Sequence, residues 1–100
     1  MTTYLSSNGT SYEIYGNPSQ TALVFIHGLG LNKNLWKYQI DQFQEQYCIL
    51  NYDLFGHGMS KKAEDDPSLS VFTEQLRAIL VELIFSEVIV VGYSLGGMIA

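Results

Sequence analysis

Val88-Ile89-Val90-Val91-Gly92-Tyr93-Ser94-Leu95-Gly96-Gly97 is the stretch that decides how this chain folds. Four β-branched residues read as a strand, and Leu95 onward, with Met98, Ile99 and Ala100, reads as the start of a helix. Ser94 stands on the turn between them. A serine on so sharp a strand-to-helix turn takes a strained backbone that draws together the residues two before and two after it, and glycine at both places avoids the clash. Gly92 and Gly96 occupy those places. A serine hydroxyl is a weak nucleophile that must project clear of the backbone toward a base and a carbonyl group, and this turn projects it. The first helix amide, that of Leu95, is then placed to donate to an oxygen gaining negative charge. The bland alternative is a chance Gly-x-Ser-x-Gly in a loop, which the strand before and the helix after disfavour.

Nearer the N-terminus, Ala22-Leu23-Val24-Phe25-Ile26 is a continuous apolar run, the pattern of a parallel strand buried on both faces. It runs directly into His27-Gly28-Leu29-Gly30, whose glycines let backbone N–H groups turn toward a site. Before it, Tyr4 to Ser7 and Thr10 to Tyr15 read as a β-hairpin turning at Asn8-Gly9, with positive φ at the turn. Leu35, Trp36, Ile40 and Phe43 fall at near-helical spacing, with Asn34 as N-cap. Tyr47 to Tyr52 returns to a strand pattern, and Asp53-Leu54-Phe55-Gly56-His57-Gly58 supplies turn residues after it. From Ser70 onward Phe72, Leu76, Ile79, Leu80 and Leu83 form one helix face, with Glu74, Gln75, Arg77 and Glu82 on the other. The chain therefore reads as one domain of the α/β class: a hairpin, then mostly parallel strands with helices on both faces.

Composition narrows the function. Hydrophobic residues make up 47% and charged residues 15%, which predicts a packed core. A net charge of −5 with five Lys and Arg in total argues against a nucleic-acid partner. The N-terminus lacks a basic start and apolar run, and no segment approaches the ~20 apolar residues of a membrane span. The single cysteine, Cys48, cannot form an internal disulfide and suits a buried position, which together predict a cytoplasmic protein. Two histidines and one cysteine show no metal-ligand spacing, and no cofactor motif is present.

Three ordered motifs, His27-Gly28-Leu29-Gly30, Asp53 to Ser60 and Gly92 to Gly97, make residues 12–100 resemble the N-terminal half of the α/β-hydrolase family. The resemblance is to its small esterase, enol-lactonase and thioesterase-like branch. It implies that Leu29 donates the second oxyanion amide and that Ser94 forms an acyl-enzyme on a small-molecule ester, thioester or lactone. A serine at this position disfavours the epoxide hydrolases and haloalkane dehalogenases of the fold, which use aspartate; cofactor-free haloperoxidases and carbon–carbon bond hydrolases stay open. In the family neither His27 nor His57 is the general base; both read as structural, His27 shaping the oxyanion loop and His57 bracing the loop after the Asp53 strand, with direct proton transfer the alternative, and Asp53 reads as a carboxylate accepting backbone amides in the turn before Gly56. Trp36, Tyr38 and Tyr93 are the aromatic candidates for a substrate pocket, Tyr93 first. The triad acid and histidine are expected on later strands, so residues 1–100 read as a domain truncated after the nucleophile turn, inactive alone and open at the edge of the 88–91 strand. A non-catalytic hydrolase-like binding module and a non-functional gene fragment are the competing readings.

Overall fold

The computed structural model describes residues 2–100. Five strands, β1 (Thr3–Leu5), β2 (Ser11–Tyr15), β3 (Ala22–Ile26), β4 (Cys48–Tyr52) and β5 (Val88–Gly92), form one sheet in the order β1-β2-β4-β3-β5. β3 pairs in parallel with both β4 and β5, while β2 runs antiparallel to β1 and β4. Four of the five strands thus point one way, as the apolar runs predicted. Both central strands, β3 and β4, are buried along their whole length.

Helices cover both faces. On one, a 3-10 turn (Lys33–Trp36) and α1 (Lys37–Phe43) set Trp36 and Ile40 against Leu23, Phe25 and Ile49. On the other, α2 (Leu69–Leu83) and α3 (Leu95–Ile99) bring Phe72, Leu76, Ile79 and Ile99 onto Val24, Ile26, Leu50 and Tyr52. The alternation of β3 explains the division: Leu23 and Phe25 face one layer, Val24 and Ile26 the other. No helix among the described residues is long and apolar enough to cross a membrane. Cys48 is a buried free thiol, its pKa pushed up by burial.

Four local expectations need correction. The hairpin turns on Ser7 and Asn8, with Gly9 alone at positive φ (81°), because the Asn8 side chain holds Thr10 N and Oγ1 and leaves the left-handed position to glycine. Asn32, not Asn34, caps the 3-10 turn: its Oδ1 accepts the Asn34 amide. Leu35 and Phe43 remain over a third exposed, so the helix face is narrower than its spacing suggested. Gln75, expected on the solvent face of α2, is buried, and its amide donates to Thr10 Oγ1 and Asp53 O while accepting the Phe55 N–H.

α2 starts at Ser68, whose hydroxyl accepts the Val71 amide, and ends at Ile84, φ 50° and ψ 81°. A β-branched residue is costly in this left-handed region, and Ile84 is 83% exposed, so its side chain gains little in return. Replacing Ile84 by glycine is expected to stabilise the protein by about 1 kcal/mol, read as a raised urea midpoint at unchanged slope. A lowered midpoint would show that the isoleucine contributes packing worth more than its strain.

β5 lies at the sheet edge, with Val88 and Ile89 37% and 47% exposed. In the register, Ile26 is level with Tyr52 on β4 and with Gly92 on β5. The loops after these three strands therefore leave the sheet side by side, with the β3 loop in the middle, at the carboxyl ends where open α/β sheets bind ligands.

Candidate active site

Ser94 takes φ 56° and ψ −115°, the second of two non-glycine residues at positive φ among those described. The β3–β5 pairing extends one residue past the strand, Tyr93 N donating to Ile26 O at 3.0 Å, and then the chain reverses. Gly97 N donates to Ser94 O at 2.9 Å and begins α3. Ser94 does not cap its own helix, and among the described residues its hydroxyl makes no hydrogen bond, so the exposed Oγ is uncommitted.

The two glycines are required for different reasons. A Cβ on Gly92 would overlap the Gly96 carbonyl, the clash across the turn that the spacing implied. A Cβ on Gly96 would instead overlap the Ile26 and His27 carbonyl oxygens, so the helix start is pressed against the end of β3. Gly28 completes the junction: a Cβ there would stand 3.3 Å from the Tyr93 ring and 3.4 Å from Ser94 Cβ. The loop after β3 thus touches the serine turn. Within that loop Leu31 N donates to Gly28 O, and Gly30 takes φ 79°. The N–H groups of Leu29 and Leu95 have no hydrogen-bond acceptor among the described residues. Two uncommitted amides flanking a contact between Gly28 and Ser94 suit stabilisation of an oxyanion.

Behind this junction lies a buried polar layer. His27, fully buried, donates from Nδ1 to Gly28 O at 2.8 Å and accepts the Leu54 amide at Nε2, 3.0 Å away. His57 donates from Nδ1 to Phe55 O and accepts the Gly30 amide at Nε2, each at 2.9 Å. Both nitrogens of both rings are thus engaged by backbone, and neither ring is bonded to Ser94. Asp53, also fully buried, accepts the Lys33 amide at 2.8 Å, the Lys33 ammonium at 2.9 Å and the Met59 amide at 3.0 Å. Gly58 makes room for this carboxylate, which a Cβ there would overlap. Ser60 Oγ bridges Asp53 O and Ser11 N, and Asn51 Nδ2 donates to Lys33 O. Lys33 and Gln75 carry no signal in one sequence, since a lysine just past a glycine-rich loop and a helix glutamine read as surface.

Burial is the largest influence on His27 and lowers its pKa, with the positive charge of Lys33 and a charged His57 acting the same way against Gly28 O and Asp53. The unfolded chain therefore binds a proton that the folded chain resists as pH falls below about 6.5. Stability is expected to be level above about pH 7 and to decline as pH falls below about 6.5, in urea titrations. A flat profile across that window would contradict it.

Of the aromatic candidates, Trp36 is a core residue stacked on Phe25 at 4.8 Å between centroids, and does not stand on an open surface. Tyr38 is 77% exposed on α1. Tyr93, 55% exposed, lies beside Gly28 and Ser94. Three surface clefts of about 450, 430 and 360 Å³ are present; Ser94 lines none of them, while Leu29 and His57 line the third with Phe55 and Phe72.

Residues 21–100 match the family described as alpha/beta hydrolase fold. The chain belongs to that family. It is 34% identical over 82 residues to an uncharacterized protein of Mycobacterium tuberculosis, covering 82% of this chain and 24% of that protein. It is 31% identical over 88 residues to 3-oxoadipate enol-lactonase 2 of Acinetobacter baylyi, covering 88% of this chain and 33% of the lactonase. The hydrolase fold here superposes on a carboxylesterase structure from the thaumarchaeon Nitrososphaera gargenis with a TM-score of 0.85 at 28% identity, covering 98% of this chain and 38% of that one. The chain thus spans about a quarter to a third of the length of these curated relatives.

Proposed function

We propose that this chain is the nucleophile-bearing part of a serine hydrolase that cleaves a small ester, thioester or lactone through an acyl-enzyme on Ser94. The observation that carries the reading is the strained backbone of Ser94, which holds an uncommitted hydroxyl at a strand-to-helix turn, against Gly28 of the neighbouring loop. Strain of this kind costs of order 1–3 kcal/mol and persists where the surroundings over-determine it, as Gly92, Gly96 and Gly28 do here. Ser94 Oγ attacks the carbonyl carbon, the carbonyl oxygen gains the negative charge, and the Leu29 and Leu95 amides donate to it.

A base is still needed. Both histidines spend their nitrogens on backbone groups, so the general base and its carboxylate partner come from residues beyond these hundred, in the serine, acid, histidine order of the fold. Residues 1–100 alone are then inactive. Enol-lactonase and carboxylesterase relatives support a small acyl substrate, and the lone buried thiol Cys48 suits a cytoplasmic setting.

The test is a fluorophosphonate probe applied to the protein expressed with all that its gene encodes. Covalent labelling that maps to Ser94, and labelling of residues 1–100 slower by several orders of magnitude, is the expected result. An unlabelled Ser94 in the full protein would sink the hydrolase reading in favour of a binding module.

A further inference from the structure

The two histidines form an arrangement that loop support alone does not describe. Each donates from Nδ1 to a carbonyl of its own loop, His27 to Gly28 and His57 to Phe55, and each accepts at Nε2 an amide of the other loop, His27 from Leu54 and His57 from Gly30. The rings lie 5.2 Å apart between centroids, tilted 53° to each other. Gly28 and Gly30 are the two neighbours of Leu29, so the histidines hold both sides of the residue whose amide serves the oxyanion. We propose that His57 is a positioning residue for the Leu29 amide, forming with His27 a reciprocal clasp that opens when either imidazole gains a second proton. This rests on the hydrolase reading of Ser94.

The proton dependence follows from the hydrogen-bond pattern. The two bonds accepted at Nε2 require a neutral ring, and the two donated from Nδ1 require its hydrogen on Nδ1, so together they select the neutral Nδ1–H tautomer. A protonated ring carries N–H on both nitrogens, so His57 would meet the Gly30 amide, and His27 the Leu54 amide, donor against donor. Asp53, Lys33 and His57 are the charged or titratable groups around His27. Lys62, Glu64, Asp65 and Asp66 share the third cleft with His57, whose ring also meets Phe72 edge-on. Around His27, burial, Lys33 and a charged His57 oppose protonation, whereas the Gly28 carbonyl and Asp53 favour it. The clasp therefore holds while both rings are neutral and is lost when His27 is protonated as pH falls.

The experiment compares the full protein with His57→Ala and His57→Gln. Nitrogen NMR is expected to find both rings as Nδ1–H tautomers and the Gly30 amide slow to exchange, with that protection and the rate of Ser94 acylation falling together on acidification. His57→Ala is expected to lower the maximal acylation rate by about 100-fold, the order of losing one oxyanion donor, with little change in half-saturation. In His57→Gln the Gln Oε1 can accept the Gly30 N–H, so most of the rate returns. If His57→Ala loses its fold by circular dichroism, His57→Gln decides alone: a rate near wild type with the Gly30 amide still protected supports the clasp. Freely exchanging Gly30, wild-type acylation in His57→Ala, or a slow folded His57→Gln overturns it. Absence of acylation in the wild-type protein overturns the hydrolase reading and the clasp together, whereas normal acylation in both wild type and His57→Ala overturns the clasp alone.

Discussion

Ser94→Ala is expected to lower ester or lactone turnover by the full protein about 10⁶-fold, the order seen when the nucleophile of such a triad is removed. The change deletes one uncommitted hydroxyl and keeps the backbone, the glycines and the Leu29 and Leu95 amides. Its unfolding midpoint is therefore expected to match wild type, because alanine bears the same strain at φ 56°. Ser94→Gly separates the two roles of the position. It removes the hydroxyl and the penalty of a side chain at positive φ together, so it is expected to be equally inactive and about 1 kcal/mol more stable. Turnover within tenfold of wild type in Ser94→Ala would show that the chemistry lies elsewhere. A Ser94→Gly variant no more stable than wild type would show that the turn is not strained.

The second large effect lies in the layer beneath. Asp53→Asn keeps the shape of the side chain but leaves the Lys33 ammonium buried, its main counter-charge at 2.9 Å gone. Removing one partner of a buried pair typically costs about 3–5 kcal/mol, because the remaining charge is desolvated without compensation. Asp53→Asn is expected to lose that much in urea denaturation. Adding Lys33→Met is expected to restore much of the loss, since a buried pair replaced by apolar or neutral groups is often neutral in stability. The introduced carboxamide still has one oxygen to accept either the Lys33 or the Met59 amide. A loss below about 1 kcal/mol in Asp53→Asn would mean that solvent reaches Lys33, against its burial.

The Val88 to Val91 run, Gly92, Ser94 and Gly96 are adjacent in the chain, and their geometry follows from local sterics, so the turn is legible without a structure. The apolar run of β3 likewise announces a buried parallel strand, because both faces of such a strand must be covered. The same reading misplaced Gln75, since helical periodicity sorts residues by polarity. A buried polar side chain looks like a solvated one until its partners on other elements, Thr10 and Asp53, are known. Asn34 failed as a cap for a related reason: Asn32 and Asn34 are equally good acceptors in isolation, and the extended backbone of Asn32 decides between them.

The class of the fold, the strained serine turn and the two glycine-rich loops are properties of neighbouring residues, and one sequence was enough to establish them. Three contacts between distant residues needed the folded chain: Gly96 answers to the Ile26 carbonyl, Lys33 belongs to Asp53, and the histidines exchange amides across two loops. Their common cause is the register of β4, β3 and β5, which sets Tyr52, Ile26 and Gly92 level and brings together loops far apart in the chain.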